Sequence, residues 1–330
     1  MGLGPNPVLG EFMSTHRVDE GLAFVFPGQG SQSVGMLAEL AMTQIEVEST
    51  FQTASEVLGY DLWDLVQNGP EDRLNLTQFT QPAMLAADVA AWRVWCKHTP
   101  VKPAWMAGHS LGEYSALVCS GALAFEDAVR LVAERGRLMQ EAVPPETGAM
   151  AAILGLSDDQ VVDVCRRATT RTELVASANF NAPGQIVIAG HRPAVTRAIE
   201  LAKAEGAKRA VLLPVSVPSH CPLMERAAEE FRAMLADTAV TIPEIAVLHN
   251  VDVASHSAPE VIRVVLEKQL YSPVRWADSI LFMSQQGVTR FVECGPGRVL
   301  SGLNKRIVPT SRTEAVFDPN SLSKALELVQ

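Results

Sequence analysis

The sequence predicts an α/β protein: a parallel sheet flanked by helices, with a smaller α+β unit set into the chain. Three observations carry this. Two short apolar runs, 22–26 and 105–109, each meet a glycine-bearing turn, and the second leads into a helical stretch; strand, tight turn and helix is the rhythm of a parallel sheet. The middle of the chain, 148–214, follows a different order, β-α-β-β-α-β. Composition allows a core for both, since 330 residues with 48% hydrophobic and 19% charged side chains suit an ordered globular chain.

Taken in order, Leu22–Phe26 reads as a buried strand stopped by Pro27-Gly28, and Gln81–His98 as an Ala-rich helix. Trp105–His109 is a second strand, ending at Ser110, and Leu111–Ser120 a helix. From Ala124 to Ala142, the residues Ala128, Leu131, Val132, Leu138, Met139 and Ala142 recur at helical spacing. Pro144-Pro145 breaks the chain. Strands at Gly148–Leu154, Leu174–Asn179, Gln185–Ala189 and Ala210–Pro214 then alternate with helices at Asp158–Arg167 and Pro193–Glu205. That order is the one found in a ferredoxin-like unit. The larger pattern resumes with a helix from Pro222, a strand at Ala246–Leu248, a helix at Pro259–Leu270 and a strand at Arg290–Glu293, which ends in Gly-Pro-Gly. The expected limits are a small domain at 145–215, a large domain made of 21–144 and 216–330, and an N-terminal extension at 1–20. Within the extension, residues 1–12, ahead of Met13, are expected to be a remnant of expression.

The formal net charge of −10 disfavours nonspecific binding to nucleic acid or to an anionic membrane. No apolar run is long enough to span a bilayer, and the first residues lack the basic and apolar regions of a signal peptide. Five cysteines (Cys96, Cys119, Cys165, Cys221 and Cys294) with no CxxC pair argue against a disulfide framework or a zinc site. A cytoplasmic setting is the expectation.

The strongest local signal is Gly108-His109-Ser110-Leu111-Gly112, a G-x-S-x-G between strand and helix. Glycines allow a sharp turn that lifts the Ser110 hydroxyl out of the sheet. The following helix N-terminus offers unpaired N–H groups to a developing oxyanion. A serine nucleophile needs a base. Of seven histidines, His220 lies between Pro218 and Pro222 where the chain re-enters the large domain, and it is the first candidate, with His249 in reserve. His16 lies in the N-terminal tail, His109 alternates away from the serine, and His98, His191 and His256 sit in polar or surface stretches.

Arg135 falls in the middle of the apolar stripe of its helix, whereas Arg130 and Arg137 fall on the polar face. An inward guanidinium needs an anion, either a protein carboxylate or a carboxylate carried by a substrate. Gln269 similarly ends the stripe of Ala258, Val261, Ile262, Val265 and Leu266. The loop Gly28-Gln29-Gly30-Ser31 suits phosphates or an oxyanion, although Ser33 breaks the G-x-G-x-x-G fingerprint. Two basic pairs, Lys208-Arg209 and Lys305-Arg306, are candidates for docking an acidic protein or a phosphate.

These segments together resemble the bacterial malonyl-CoA:acyl carrier protein transacylases of type II fatty acid synthesis. The resemblance rests on FPGQGSQ (26–32), QPA (81–83), GHSLGEYSAL (108–117), RG (135–136), ETGAM (146–150), NFNAPGQIVIAG (179–190), VPSHCPLM (217–224), QLYSPVRW (269–276) and GPGRVL (295–300). It implies an α/β-hydrolase-like large domain with a ferredoxin-like insert. It implies Ser110 as the acylated nucleophile, His220 as its base, and Arg135 as the receptor for the malonyl carboxylate. Backbone N–H groups of Gln29 and Leu111 would form the oxyanion hole, and the Gln269 main-chain carbonyl would orient the histidine. The implied reaction is ping-pong, from malonyl-CoA to the thiol of acyl carrier protein, with no permanently bound cofactor and a monomeric enzyme. Three rivals share parts of this pattern: a lipase-like serine hydrolase, a transacylase of polyketide synthesis, and a silent scaffold that only docks carrier protein.

Overall fold

The computed structural model describes residues 17–144, 146–215 and 217–330. Residues 1–12 and His16 lie outside them. In chain order, β1 (Arg17–Phe26) leads through α1 (Ala38–Ala41), α2 (Ile45–Leu58), α3 (Leu62–Asn68), α4 (Glu71–Leu74) and α5 (Thr77–His98) to β2 (Val101–Gly108). Then come α6 (Gly112–Cys119), α7 (Phe125–Glu141), β3 (Gly148–Leu154), α8 (Asp158–Ala168), β4 (Val175–Ala182), β5 (Gln185–His191), α9 (Arg192–Ala204) and β6 (Arg209–Leu212). The chain finishes with α10 (Glu225–Asp237), β7 (Ala246–Leu248), α11 (Pro259–Gln269), α12 (Trp276–Gln285), β8 (Arg290–Cys294), α13 (Val299–Ile307), β9 (Arg312–Val316) and α14 (Pro319–Glu327).

Two sheets form. One has five strands in the order β7-β2-β1-β8-β9, every neighbouring pair parallel. The other has four antiparallel strands in the order β4-β5-β3-β6. The parallel sheet is covered by helices, so its central strands read as unbroken apolar runs; Leu22 to Phe26 are all fully buried. Phe24 packs edge-on to Trp92 and Trp95 of α5, with ring centroids 5.2 and 4.9 Å apart, and α5 is buried around most of its circumference.

β1 begins at Arg17, before the apolar run. Arg17–Asp19 pair with Val101–Pro103 through the backbone, and the register shifts between Asp19 and Ala23. Residues 17–20, expected to lie in the N-terminal extension, are therefore part of strand β1. Backbone pairing at the start of a strand does not require buried side chains.

Part of the contact between β4 and the rest of the chain runs through the backbone. Phe180 N donates to Val274 O, and Val274 N donates to Ala178 O, each at 2.9 Å. This sets β4 beside the segment that follows α11 and brings the antiparallel sheet over the carboxyl ends of β1, β2 and β7. In an open parallel sheet, those ends are where a ligand crevice forms. No helix among the described residues is long and apolar enough to cross a membrane.

Candidate active site

The turn after β2 sets the site. Ser110 adopts φ 53°, in the left-handed region. Such a backbone is held against its own preference and marks a functional turn. Gly108 and Gly112 make the turn possible: a Cβ on Gly108 would lie 1.8 Å from the carbonyl carbon of Gly112, and one on Gly112 would lie 2.1 Å from the Phe26 oxygen. His220 is also left-handed, at φ 61°, between its two prolines, and its N–H is anchored to Leu270 O at 3.0 Å.

These two strained residues meet. Ser110 Oγ lies 2.7 Å from His220 Nε2, and His220 Nδ1 lies 2.8 Å from the main-chain oxygen of Gln269. A carbonyl can only accept, so Nδ1 carries the hydrogen and Nε2 presents its lone pair to the serine hydroxyl. His220 is 3% exposed. Burial, followed by the nearby Arg135 charge, pulls its pKa down to about 3, so the imidazole is neutral and able to take a proton.

Arg135, on α7, is 1% exposed. Its Nη1 donates to Gln81 Oε1 at 2.8 Å; its Nη2 donates to Gln269 Oε1 at 2.9 Å and to Ser110 Oγ at 3.3 Å. Among the described residues it has no salt-bridge partner, and its Nε has no partner at all. Burial lowers its pKa below the usual arginine value. Of the two readings open in the sequence, the internal ion pair is not formed: a buried cation sits beside the nucleophile with neutral amides around it.

Leu111 follows the serine at the helix entrance, and Gln29 faces it from the loop after β1. Neither main-chain N–H has a protein acceptor among the described residues. Both residues line a cleft of about 790 Å³ that also holds Ser110, His220 and Arg135. The opposite wall comes from the antiparallel sheet, through Met150, Gln185 and Val187, and from α13, through Leu300 and Leu303.

His249 does not join them. It is fully buried, and its Nδ1 is 2.7 Å from Glu113 Oε1. His109 lines the cleft, but its Nε2 is 2.8 Å from Asn181 Oδ1. His98 bonds Gln44, and His256 bonds Asp252 near the surface. His191 Nδ1 accepts from Leu174 N. The two basic pairs are exposed. The Arg306 guanidinium bonds Gln185 and Pro183 O on the β4–β5 turn, and Lys208 packs against Gly155, which bonds Gly184 of the same turn.

Sequence reasoning missed Glu113, Asn250, Gln81, Asn179 and Asn181. Asn250 Oδ1 accepts from Ser110 N at 2.8 Å, and its Nδ2 donates to Gly108 O at 2.7 Å, bridging the nucleophile turn. The available signals were a glutamate three residues after the serine and two asparagines two apart on one strand. No cluster of three or more potential metal ligands occurs among the described residues.

The acyl transferase domain family model matches residues 23–309. The chain is 55% identical over 306 residues to the malonyl CoA-acyl carrier protein transacylase of Escherichia coli K12, covering 93% of this chain and 99% of that protein. Its fold matches the solved malonyl CoA-acyl carrier protein transacylase of Coxiella burnetii with a TM-score of 0.92 at 51% identity, over 93% of this chain and 97% of that one. It also matches a malonyl-transacylase solved in complex with its type II PKS acyl-carrier protein, with a TM-score of 0.91 at 54% identity, over 93% of this chain and 99% of that one.

Proposed function

The chain belongs to the acyl transferase family and, within it, to the malonyl CoA-acyl carrier protein transacylases, and from that premise we propose that it transfers malonyl from coenzyme A to the phosphopantetheine thiol of acyl carrier protein through a malonyl-Ser110 ester, supplying fatty acid synthesis. The observation that carries this reading is the pair Ser110–His220, 2.7 Å apart, beside a buried Arg135 that has no carboxylate of its own.

The scheme follows from the geometry. His220 Nε2 takes the Ser110 proton as Oγ attacks the thioester carbon. The oxyanion that forms is held by the N–H groups of Leu111 and Gln29, which supplies the charge stabilisation such reactions require. The C–S bond breaks, His220 returns the proton to the CoA sulfur, and malonyl remains on Ser110. The carrier thiol then loses its proton to His220 and attacks the ester, and Ser110 recovers its hydrogen. Arg135 pairs with the substrate carboxylate throughout, favouring malonyl over acetyl. Malonyl-CoA is a substrate, and the scheme draws on no bound cofactor.

A hydrolase triad would put a carboxylate on His220 Nδ1; here a carbonyl stands there, which argues for transfer. The antiparallel sheet with α8 and α9 supports reading 145–215 as a ferredoxin-like insert in an α/β-hydrolase-like domain. Incubation with malonyl-CoA or acetyl-CoA, followed by intact mass and peptide mapping, tests the reading. A malonyl adduct on Ser110 with little acetyl adduct is expected. Rapid hydrolysis of both esters, or no adduct, would return the hydrolase or the scaffold.

A further inference from the structure

Glu113 lies one helical turn beyond the nucleophile, is fully buried, and touches none of the reacting groups. Yet three hydrogen bonds converge on it. His249 Nδ1 lies 2.7 Å from Oε1, the Asn250 main-chain N–H donates to Oε2 at 3.0 Å, and Gln269 Nε2 donates to Oε2 at 2.8 Å. Each of the last two partners holds part of the site. Asn250 clamps Ser110 N–H and Gly108 O across the strained turn. Gln269 donates to Ser110 O at 2.9 Å, accepts from Arg135 Nη2, and offers its main-chain carbonyl to His220.

The charges follow the same path. Arg135 and Glu113 are both buried, and neither has a charged contact with the other. The Gln269 amide stands between them, accepting from the cation and donating to the anion. A direct ion pair would fill the guanidinium fork and close it to a substrate carboxylate. With no counter-charge at all, the buried cation would carry a large desolvation cost. With the amide interposed, Glu113 supplies the counter-charge at one remove, and the guanidinium bonds only neutral groups that a substrate carboxylate can displace.

We propose that Glu113 is the positioning residue of this site, holding Ser110 through Asn250 and keeping Arg135 charged but unpaired through the Gln269 amide. The proposal rests on the malonyl-Ser110 reading above. It separates two roles of Gln269: its main chain aligns His220, and its side chain maintains the carboxylate receptor.

The test is single-turnover labelling of Ser110 by malonyl-CoA and by acetyl-CoA, followed by intact mass, in the full-length protein. A wild-type malonyl adduct on Ser110 shows that the underlying reading stands; its absence sinks that reading and this one with it, whereas the variants below can sink this one alone. In Glu113→Gln, one oxygen must serve donors that now use two. Malonyl labelling is expected to slow about 100-fold, the scale of a small misplacement of reacting groups. Acetyl labelling, which needs the turn but not the receptor, is expected to slow only about tenfold by the same argument. Gln269→Met keeps the main-chain carbonyl and removes the amide, including its bond to Ser110 O; it should slow malonyl labelling more than acetyl labelling, and it decides the matter if Glu113→Gln does not fold. Equal loss for both esters in Glu113→Gln, or an unchanged malonyl-to-acetyl ratio in Gln269→Met, overturns the proposal.

Discussion

At the scale of single residues, the site places one buried cation where it acts on two neighbours. Arg135 receives the substrate carboxylate in the proposed scheme, and its charge helps hold the His220 pKa at about 3, second to burial. A base kept neutral so far down in pH gives a clear expectation. Acylation of Ser110, followed as kcat/KM for malonyl-CoA, should stay flat as pH falls to about 5, well below the ordinary histidine value. Replacing Arg135 by Ala removes the second cause and leaves the first. The acid limb of the variant, measured with acetyl-CoA, should then lie higher than in the parent. In the same variant, malonyl transfer should fall on the order of a thousandfold, as in sites that lose a buried polar match, while acetyl transfer is retained or gained. Unchanged malonyl kinetics would remove Arg135 from the receptor, and an unmoved acid limb would separate it from the base.

At the scale of elements, α13 shows how a helix end becomes part of a binding wall. Leu300 and Leu303 line the cleft, and the helix start is fixed by Glu293, whose carboxylate accepts from Leu300 N at 3.0 Å and Ser301 N at 2.7 Å. Glu293 is fully buried at the end of β8, and burial raises its pKa to about 7 despite those donors and the nearby Arg298. Between the ordinary value of 4.5 and about 7, the folded chain keeps a proton that the unfolded chain has lost, so this group's contribution to stability falls as pH rises through that window. The loss is on the order of 3 kcal/mol once complete. Urea unfolding of Glu293→Gln should therefore lose less stability between pH 5 and pH 8 than the parent; parallel losses would show that other groups set the slope. α13 is also an element that the sequence conceals. Its run VLSGLNKRI carries Gly302 in the interior, and β9 after it reads RTEAV, with polar residues at three of its five positions. Where the period is clean, the bounds are legible, and the strands 148–154 and 246–248 fall on the residues expected of them. Three of the four helices between 38 and 74 are short, two of four residues and one of seven, and leave little periodicity to read. Within the site, Arg135 is legible because it interrupts an apolar stripe. Glu113 and Asn250 are not, because the bond between them spans 137 residues and no local pattern encodes such a partner.

For the molecule as a whole, the question is how an acidic chain would receive the carrier protein of the proposed scheme. With a net charge of −10, its surface as a whole repels an acidic partner, so a productive encounter depends on a local patch of the opposite sign. Lys208 and Arg306 flank the β4–β5 turn, with Arg209 and Lys305 exposed next to them in the chain. That turn belongs to the cleft wall, since Gln185 both bonds Arg306 and lines the cleft. A carrier protein docked there could pass its phosphopantetheine between the antiparallel sheet and α13 toward Ser110. Reversing Lys305 and Arg306 to Glu should raise KM for carrier protein at least about tenfold at low salt, a direct loss of steering. The difference from the parent should shrink as ionic strength rises and the Debye length falls below about 10 Å. Transfer to a small pantetheine thiol should be unchanged, because that acceptor needs the cleft and not the patch. Equal losses for both acceptors would mean that breaking the Arg306 contacts had deformed the cleft wall, and would move the docking surface elsewhere on the molecule.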